Sequence, residues 1–199
     1  ISGWLRFDGV KGSKGDIMKV QYVSESPMGT QNYIFGEGDC RNYAPKFTWY
    51  VFRKAIITGV ELRQENVVAE VVNTDVRTNS EFITSNTLLN TINTIWRRSL
   101  EDNLHGCVMS DCPHREKSPY TGDGQVCCET VMANYDCYTF YHKWLRDMRD
   151  AQNVDTGYVP NSAPWQPGCG GGPGWGAAMQ IIPWEIYRHF GNIQTLEDN

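Results

Sequence analysis

The hydrophobic period of this chain changes once along its length, and that change limits the fold more than any other feature. Up to about residue 75 the apolar positions recur every second residue, in Ile17-Met18-Lys19-Val20-Gln21-Tyr22-Val23 and in runs 48–52, 55–60 and 67–72. Trp4-Leu5-Arg6-Phe7 reads as a further strand at the outset, and clusters of Gly, Pro, Asn and Asp separate the runs. Alternation buries one face of a strand and solvates the other, so an antiparallel sandwich, or a portion of one, is expected. Between Asp75 and Ser85 the character changes. Ser85 is placed to cap a helix carrying Leu88, Leu89, Ile92, Ile95, Trp96 and Leu100 at helical spacing. A second helical pattern follows Gly122 and, with a break near Asn134-Tyr135-Asp136, runs through Tyr138, Tyr141, Leu145 and Met148. A third spans Gly176 to about Phe190, with Pro183 as a kink or a late start. Between these last two lies a pliable loop, 157–174, suited to shaping a pocket. The expected division is a β-sandwich portion over 1–78 and a helical portion over 79–199.

The composition, 40% hydrophobic and 21% charged over 199 residues, is that of a globular protein rather than a disordered one. A net charge of −5 with no Lys/Arg-rich run argues against nucleic acid as a partner and favours a neutral ligand. No apolar run approaches the roughly 18 residues that cross a bilayer, so no membrane partner is expected. The chain opens at Ile1 without a methionine or a signal segment. Missing upstream sequence is therefore expected, and a periplasmic or secreted location is favoured over a cytoplasmic one. Seven irregularly spaced cysteines (Cys40, Cys107, Cys112, Cys127, Cys128, Cys137, Cys169) do not form a disulfide framework and read as mostly reduced, buried thiols.

Ahead of the second helical pattern, residues 110–125 place Asp111, Glu116 and Asp123 beside Cys112, His114, Arg115 and Tyr120 on a loop punctuated by two prolines and a glycine. Polar groups crowded on a loop that feeds a rigid helix suit a reaction site. Bland readings compete: Asp111 before Cys-Pro can start a turn, Glu116-Lys117 is an ordinary solvated pair, and Asp123 at a helix start can cap. Trp175, flanked by glycines on a loop, leans to a pocket wall. Trp96, Trp144 and Trp184, on helical faces, lean to core, and Trp165 is undecided.

Asp-Cys-Pro-His-Arg-Glu-Lys at 111–117, followed by Tyr-Thr-Gly-Asp-Gly-Gln at 120–125, resembles the signature of bacterial α-L-rhamnosidases of glycoside hydrolase family 78. Residues 45–53 are similar to the sandwich segment ahead of that family's catalytic domain, and 143–152 and Pro173-Gly174-Trp175-Gly176 resemble segments that follow the signature. Nearly the whole chain falls within the pattern in the same order. The resemblance implies a β-sandwich portion followed by the first helices of an incomplete six-hairpin (α/α) barrel. It implies inverting hydrolysis of terminal α-L-rhamnosyl groups of glycans or glycosides, with a rhamnose-containing carbohydrate and the remainder of the parent polypeptide as partners. Glu116 matches the general acid. Asp111, Arg115 and Asp123 match groups that hold the sugar, and Tyr120 and Trp175 match aromatics on its apolar face. Glu116 would then need partial burial, or repulsion from Asp111 and Asp123, to keep its proton.

The family's general base is expected beyond Asn199, so this segment alone is expected to be inactive. Ala177 stands where many members carry an acidic residue after Gly-Trp-Gly. Glu129 is read as support behind the site and Glu185 as helix surface. No cofactor is called for, and calcium dependence is not legible. The rival readings are a non-catalytic carbohydrate-binding module, a zinc-binding domain built from His105, Cys107, Cys112, His114, Cys127 and Cys128, and a Cys112–His114 hydrolase. The zinc set lacks a C-x-x-C pair and gives Pro113 and the carboxylates no role. A binding module has no need of the Glu116 signature, and Cys112 and His114 have no third group to orient them.

Overall fold

The computed structural model describes residues 1–25 and 27–199 and divides into two compact units, 1–73 with 113–115 and 74–112 with 116–199. In the first unit, β1 (Ser2–Phe7) lies between β4 (Tyr50–Val51) and β6 (Val67–Val71), and β2 (Ile17–Val23) lies between β3 (Pro27–Ile34) and β5 (Lys54–Thr58). All four pairings are antiparallel. Period-two alternation is clearest in β2, where Met18, Val20 and Tyr22 turn inward and Ile17 and Lys19 face water. Leu5, Phe7, Val10, Phe35 and Phe52 complete the core between the sheets. Tyr22 joins them: its hydroxyl accepts from the Leu5 N–H (3.1 Å) and donates to Gln31 Oε1 (3.0 Å), and its ring stacks on Tyr50 with centroids 4.0 Å apart. Burial pushes this phenol up to about 12, so it remains a neutral donor.

The run expected over 48–52 contracts to Tyr50–Val51, and β3 has no counterpart in the sequence reading. The reason is visible in β3, whose single buried residue is the polar Gln31, so hydrophobic period could not reveal it.

The second unit contains α1 (Thr87–Glu101), a short hairpin of β8 (Leu104–His105) and β9 (Val108–Met109), and α2 (Thr121–Asn134). There follow β10 (Tyr135–Asp136), α3 (Tyr138–Ala151), α4 (Pro173–Gly176), α5 (Ala178–Phe190) and α6 (Ile193–Asp198). The break near 134–136 is β10, which pairs with β7 (Arg77–Thr78). Asn86, not Ser85, caps α1: its side chain accepts from the Leu88 N–H at 2.9 Å. Pro183 lies inside α5 rather than at its start.

The core of this unit gathers Val131, Tyr141, Trp144, Leu145, Met148, Ile182 and Ile186. Trp144 is fully buried, as its helical spacing suggested, and its indole N–H donates to the Ala163 carbonyl at 2.6 Å. Trp184 corrects the same expectation, being 51% exposed, because α5 packs on α2 and α3 through Ala178, Met179, Ile182 and Ile186 and Trp184 lies off that face. On α1 only Leu100 is buried, and Leu88, Leu89, Ile92 and Ile95 are 44–64% exposed. Among the described residues no helix is long and apolar enough to cross a membrane.

Candidate active site

The signature loop is closed by its own backbone. The Asp111 N–H donates to the Ser118 carbonyl (3.1 Å), the Ser118 N–H returns to Asp111 Oδ1 (3.1 Å), and the Lys117 N–H donates to the Cys112 carbonyl (3.2 Å). Lys117 takes a φ of 55°, in the left-handed region, at the end of the reversal. On its other side the loop is anchored to the end of α1, since the Ser110 N–H and hydroxyl donate to the Asn103 carbonyl (3.0 Å) and Oδ1 (2.8 Å).

A second anchor joins the start of α2 to the glycine-rich loop. The Thr121 N–H donates to the Asn161 carbonyl (2.8 Å), its hydroxyl to the Trp175 carbonyl (3.1 Å), and the Gln125 amide to the Gly174 carbonyl (3.1 Å). Trp175 thereby lies against Gly122, where a Cβ would meet the indole at 2.6 Å. Asp123 does not cap α2: the N-cap position is Tyr120 and carries no side-chain cap hydrogen bond, so the capping reading of Asp123 gives way to the pocket one.

These anchors enclose a cavity of about 430 Å³ with Asp111, Asp123 and Trp175 on its wall, opposite apolar surface from Trp96, Leu100 and Met109. Trp96, read as core, therefore divides its surface between core and cavity. The sequence reading missed Ser99 and Asn103, which line the same cavity. The i, i+4 spacing of both pairs, 96/100 and 99/103, is the signal that could have found them.

The carboxylates have distinct environments. Partial burial raises the Asp111 carboxyl, but the Cys112 thiol, the backbone N–H groups of Cys112 and Ser118 and the Glu116 carboxyl outweigh it and hold Asp111 below the usual aspartate range. Asp123 is raised, by burial first and then by the charge of Asp111. The signs are opposite. Asp111 contributes stability that is lost as pH falls through its lowered value, whereas the cost of ionised Asp123 is relieved as pH falls through its raised one. Glu116 is exposed on the same loop, so the partial burial expected of it is not met. Tyr120 does not line the cavity. The neighbouring Cys169 thiol first, and then the nearby charges of Glu116 and Asp111, raise its phenol above the usual range. Arg115 is exposed and belongs to the first unit together with His114.

Two expectations are corrected. Glu185 is not helix surface: it is 7% exposed, and its two carboxylate oxygens accept from Arg188 at 2.9 and 3.0 Å. Glu129 does not stand behind the site, being exposed and paired with Arg188 at 3.2 Å. Among the described residues the group whose ligand atoms converge within 4.8 Å is Glu129, Glu185 and His189, and its two carboxylates are already bridged by Arg188. Among the described residues, none of the cysteines and histidines of the zinc reading belongs to that group. All seven cysteines are free, and four of them are only partly buried. The Cys112 thiol is directed at Asp111 Oδ2 (3.1 Å).

The family profile described as the bacterial alpha-L-rhamnosidase 6 hairpin glycosidase domain matches residues 77–199. The chain belongs to this family. An alpha-L-rhamnosidase of Formosa agariphila is 32% identical to it over 169 residues, covering 79% of this chain and 18% of that protein. Among solved structures, the alpha-L-rhamnosidase from Dictyoglumus thermophilum superposes with a TM-score of 0.87 at 29% identity, over 99% of this chain and 24% of that one. The Streptomyces avermitilis alpha-L-rhamnosidase complexed with L-rhamnose gives a TM-score of 0.85 at 29% identity, over 100% of this chain and 21% of that one. The chain thus spans about a fifth of the length of the family members it matches. A strand-rich unit followed by a helical one is the fold expected of this family segment.

Proposed function

We propose that the parent protein hydrolyses terminal α-L-rhamnosyl groups from glycans or glycosides with inversion, and that this segment supplies the acid side of the site. The observation that carries the reading is the cavity that presents Asp111, Asp123 and Trp175 beside the loop that bears Glu116. Asp111 is held below the usual aspartate range by its N–H and S–H donors and serves as an acceptor. Glu116 takes the general-acid role that its signature position implies, passing a proton to a departing glycosidic oxygen. Asp111 and Asp123 present acceptors to sugar hydroxyls, and the Trp175 ring with the apolar wall suits the C–H face and methyl group of a deoxy sugar. Arg115 and Tyr120 take the sugar-holding and aromatic roles that their signature positions imply. The carboxylate acting on the other face is not assigned among these residues. In an inverting site it stands about 6.5–9.5 Å from the acid, leaving room for water.

The test is proton NMR of an aryl α-L-rhamnoside during turnover by the parent protein. The first sugar signal to appear is expected to be β-L-rhamnose. The α anomer appearing first would replace inversion by retention, and no turnover would leave carbohydrate binding as the better reading. Asp123→Asn is expected to weaken L-rhamnose binding, read by calorimetry, about tenfold to hundredfold, the scale of a hydrogen bond to a charged group. Because it removes a half-buried charge, it should raise Tm slightly, by no more than about 2 °C. A loss of both binding and stability would make Asp123 a structural residue.

A further inference from the structure

We infer that Cys112 is a positioning residue for the sugar site: its thiol fixes the Asp111 carboxylate in the orientation that meets the ligand. The inference rests on the reading above that Asp111 holds sugar. Each Asp111 oxygen has its own donor from the loop, Oδ1 from the Ser118 N–H at 3.1 Å and Oδ2 from the Cys112 S–H at 3.1 Å. A carboxylate with one backbone donor can still rotate about its terminal torsion, whereas a second donor on the other oxygen removes that freedom. A thiol is a weak donor, but its contact with an ionised acceptor is charge-assisted. The same contact favours the ionised form of Asp111, the form that accepts from sugar hydroxyls. The groups facing Asp111 are Cys112 and Glu116 from the loop, Tyr120 at the helix start and Asp123 in the first turn of α2. Glu116, Tyr120 and Asp123 repel its charge when ionised, whereas the thiol donates to Oδ2.

The experiment uses the parent protein with Cys112→Ala and Cys112→Ser. L-Rhamnose affinity is measured by calorimetry from pH 4 to pH 8, and kcat and KM on an aryl α-L-rhamnoside alongside. Cys112→Ala is expected to bind L-rhamnose about threefold to tenfold more weakly, the scale of one lost hydrogen bond. Its acid limb should move to higher pH, because Asp111 has lost a donor to its ionised form. Cys112→Ser, which keeps a donor, should restore most of the affinity and the limb. Equal impairment of both variants, or wild-type behaviour of Cys112→Ala, overturns the inference. A crystal structure of Cys112→Ala adds a readout free of sugar. The Asp111 carboxylate should rotate or lose order, and an unmoved, equally ordered carboxylate also overturns the inference. If the wild-type protein does not bind L-rhamnose while the variant's carboxylate is released, the functional reading fails and the positioning contact stands.

Discussion

Glu116→Gln in the parent protein is expected to lower kcat on an alkyl α-L-rhamnoside about 10²–10⁴-fold, the usual contribution of a positioned proton donor. KM should change little. The substitution is nearly isosteric and Glu116 is exposed, so neither the loop nor the fold should be disturbed. The decisive comparison is between leaving groups. A departing alkoxide needs the proton, whereas a nitrophenolate leaves with little help, so the loss should shrink steeply as leaving-group acidity rises. A loss of the same size on every leaving group would make Glu116 a structural or binding residue. Full activity in the variant would move the acid elsewhere.

The second large effect is on stability. Gly124 sits in the first turns of α2, and intrinsic propensity alone predicts that alanine there stabilises the helix by about 1 kcal/mol. The tertiary structure predicts the opposite, because a Cβ at Gly124 would fall inside the van der Waals envelope of the Trp144 ring. That ring is fully buried and tethered by its N–H to the Ala163 carbonyl at 2.6 Å, so it has nowhere to retreat without leaving a buried carbonyl unpaired. Overpacking costs about 1–3 kcal/mol, and an orphaned buried acceptor adds about 1–3 kcal/mol. The packing terms exceed the propensity gain, and Gly124→Ala should lower the unfolding midpoint by roughly 5–10 °C at about 2–4 °C per kcal/mol. Gly122→Ala is the control. There the added methyl meets Trp175, which is 43% exposed on the four-residue helix α4 and able to turn toward solvent, so sugar affinity should fall while the midpoint changes little. If Gly124→Ala unfolds at or above the wild-type temperature in a scan followed by tryptophan fluorescence, Trp144 is not as confined as its contacts indicate.

The contrast between these two glycines also marks the line between local and tertiary information. The period-two runs and the later helical spacing were enough to foresee a strand-rich unit followed by a helical one, because periodicity reports which face of an element is buried. They missed β3, whose buried residue is polar, and they placed Trp184 in a core that α5 does not offer it. Glu185 looked like surface because glutamate on a helix usually is, yet α5 turns it inward to pair with Arg188.

For the site, the order of residues in the signature was sufficient to select Asp111, Glu116, Asp123 and Trp175 as candidates. By itself the sequence determined the succession of strand and helix patterns and the chemistry available on one loop, since both depend on residues near one another in the chain. Only the tertiary structure decided that the Trp175 indole lies against Gly122 across fifty-three positions, that Asp111 and Asp123 share a cavity with the end of α1, and that Cys112 aims its thiol at a carboxylate. Those contacts are set by how the anchored loops close over the start of α2, and packing between segments distant in sequence leaves no periodic trace in either one.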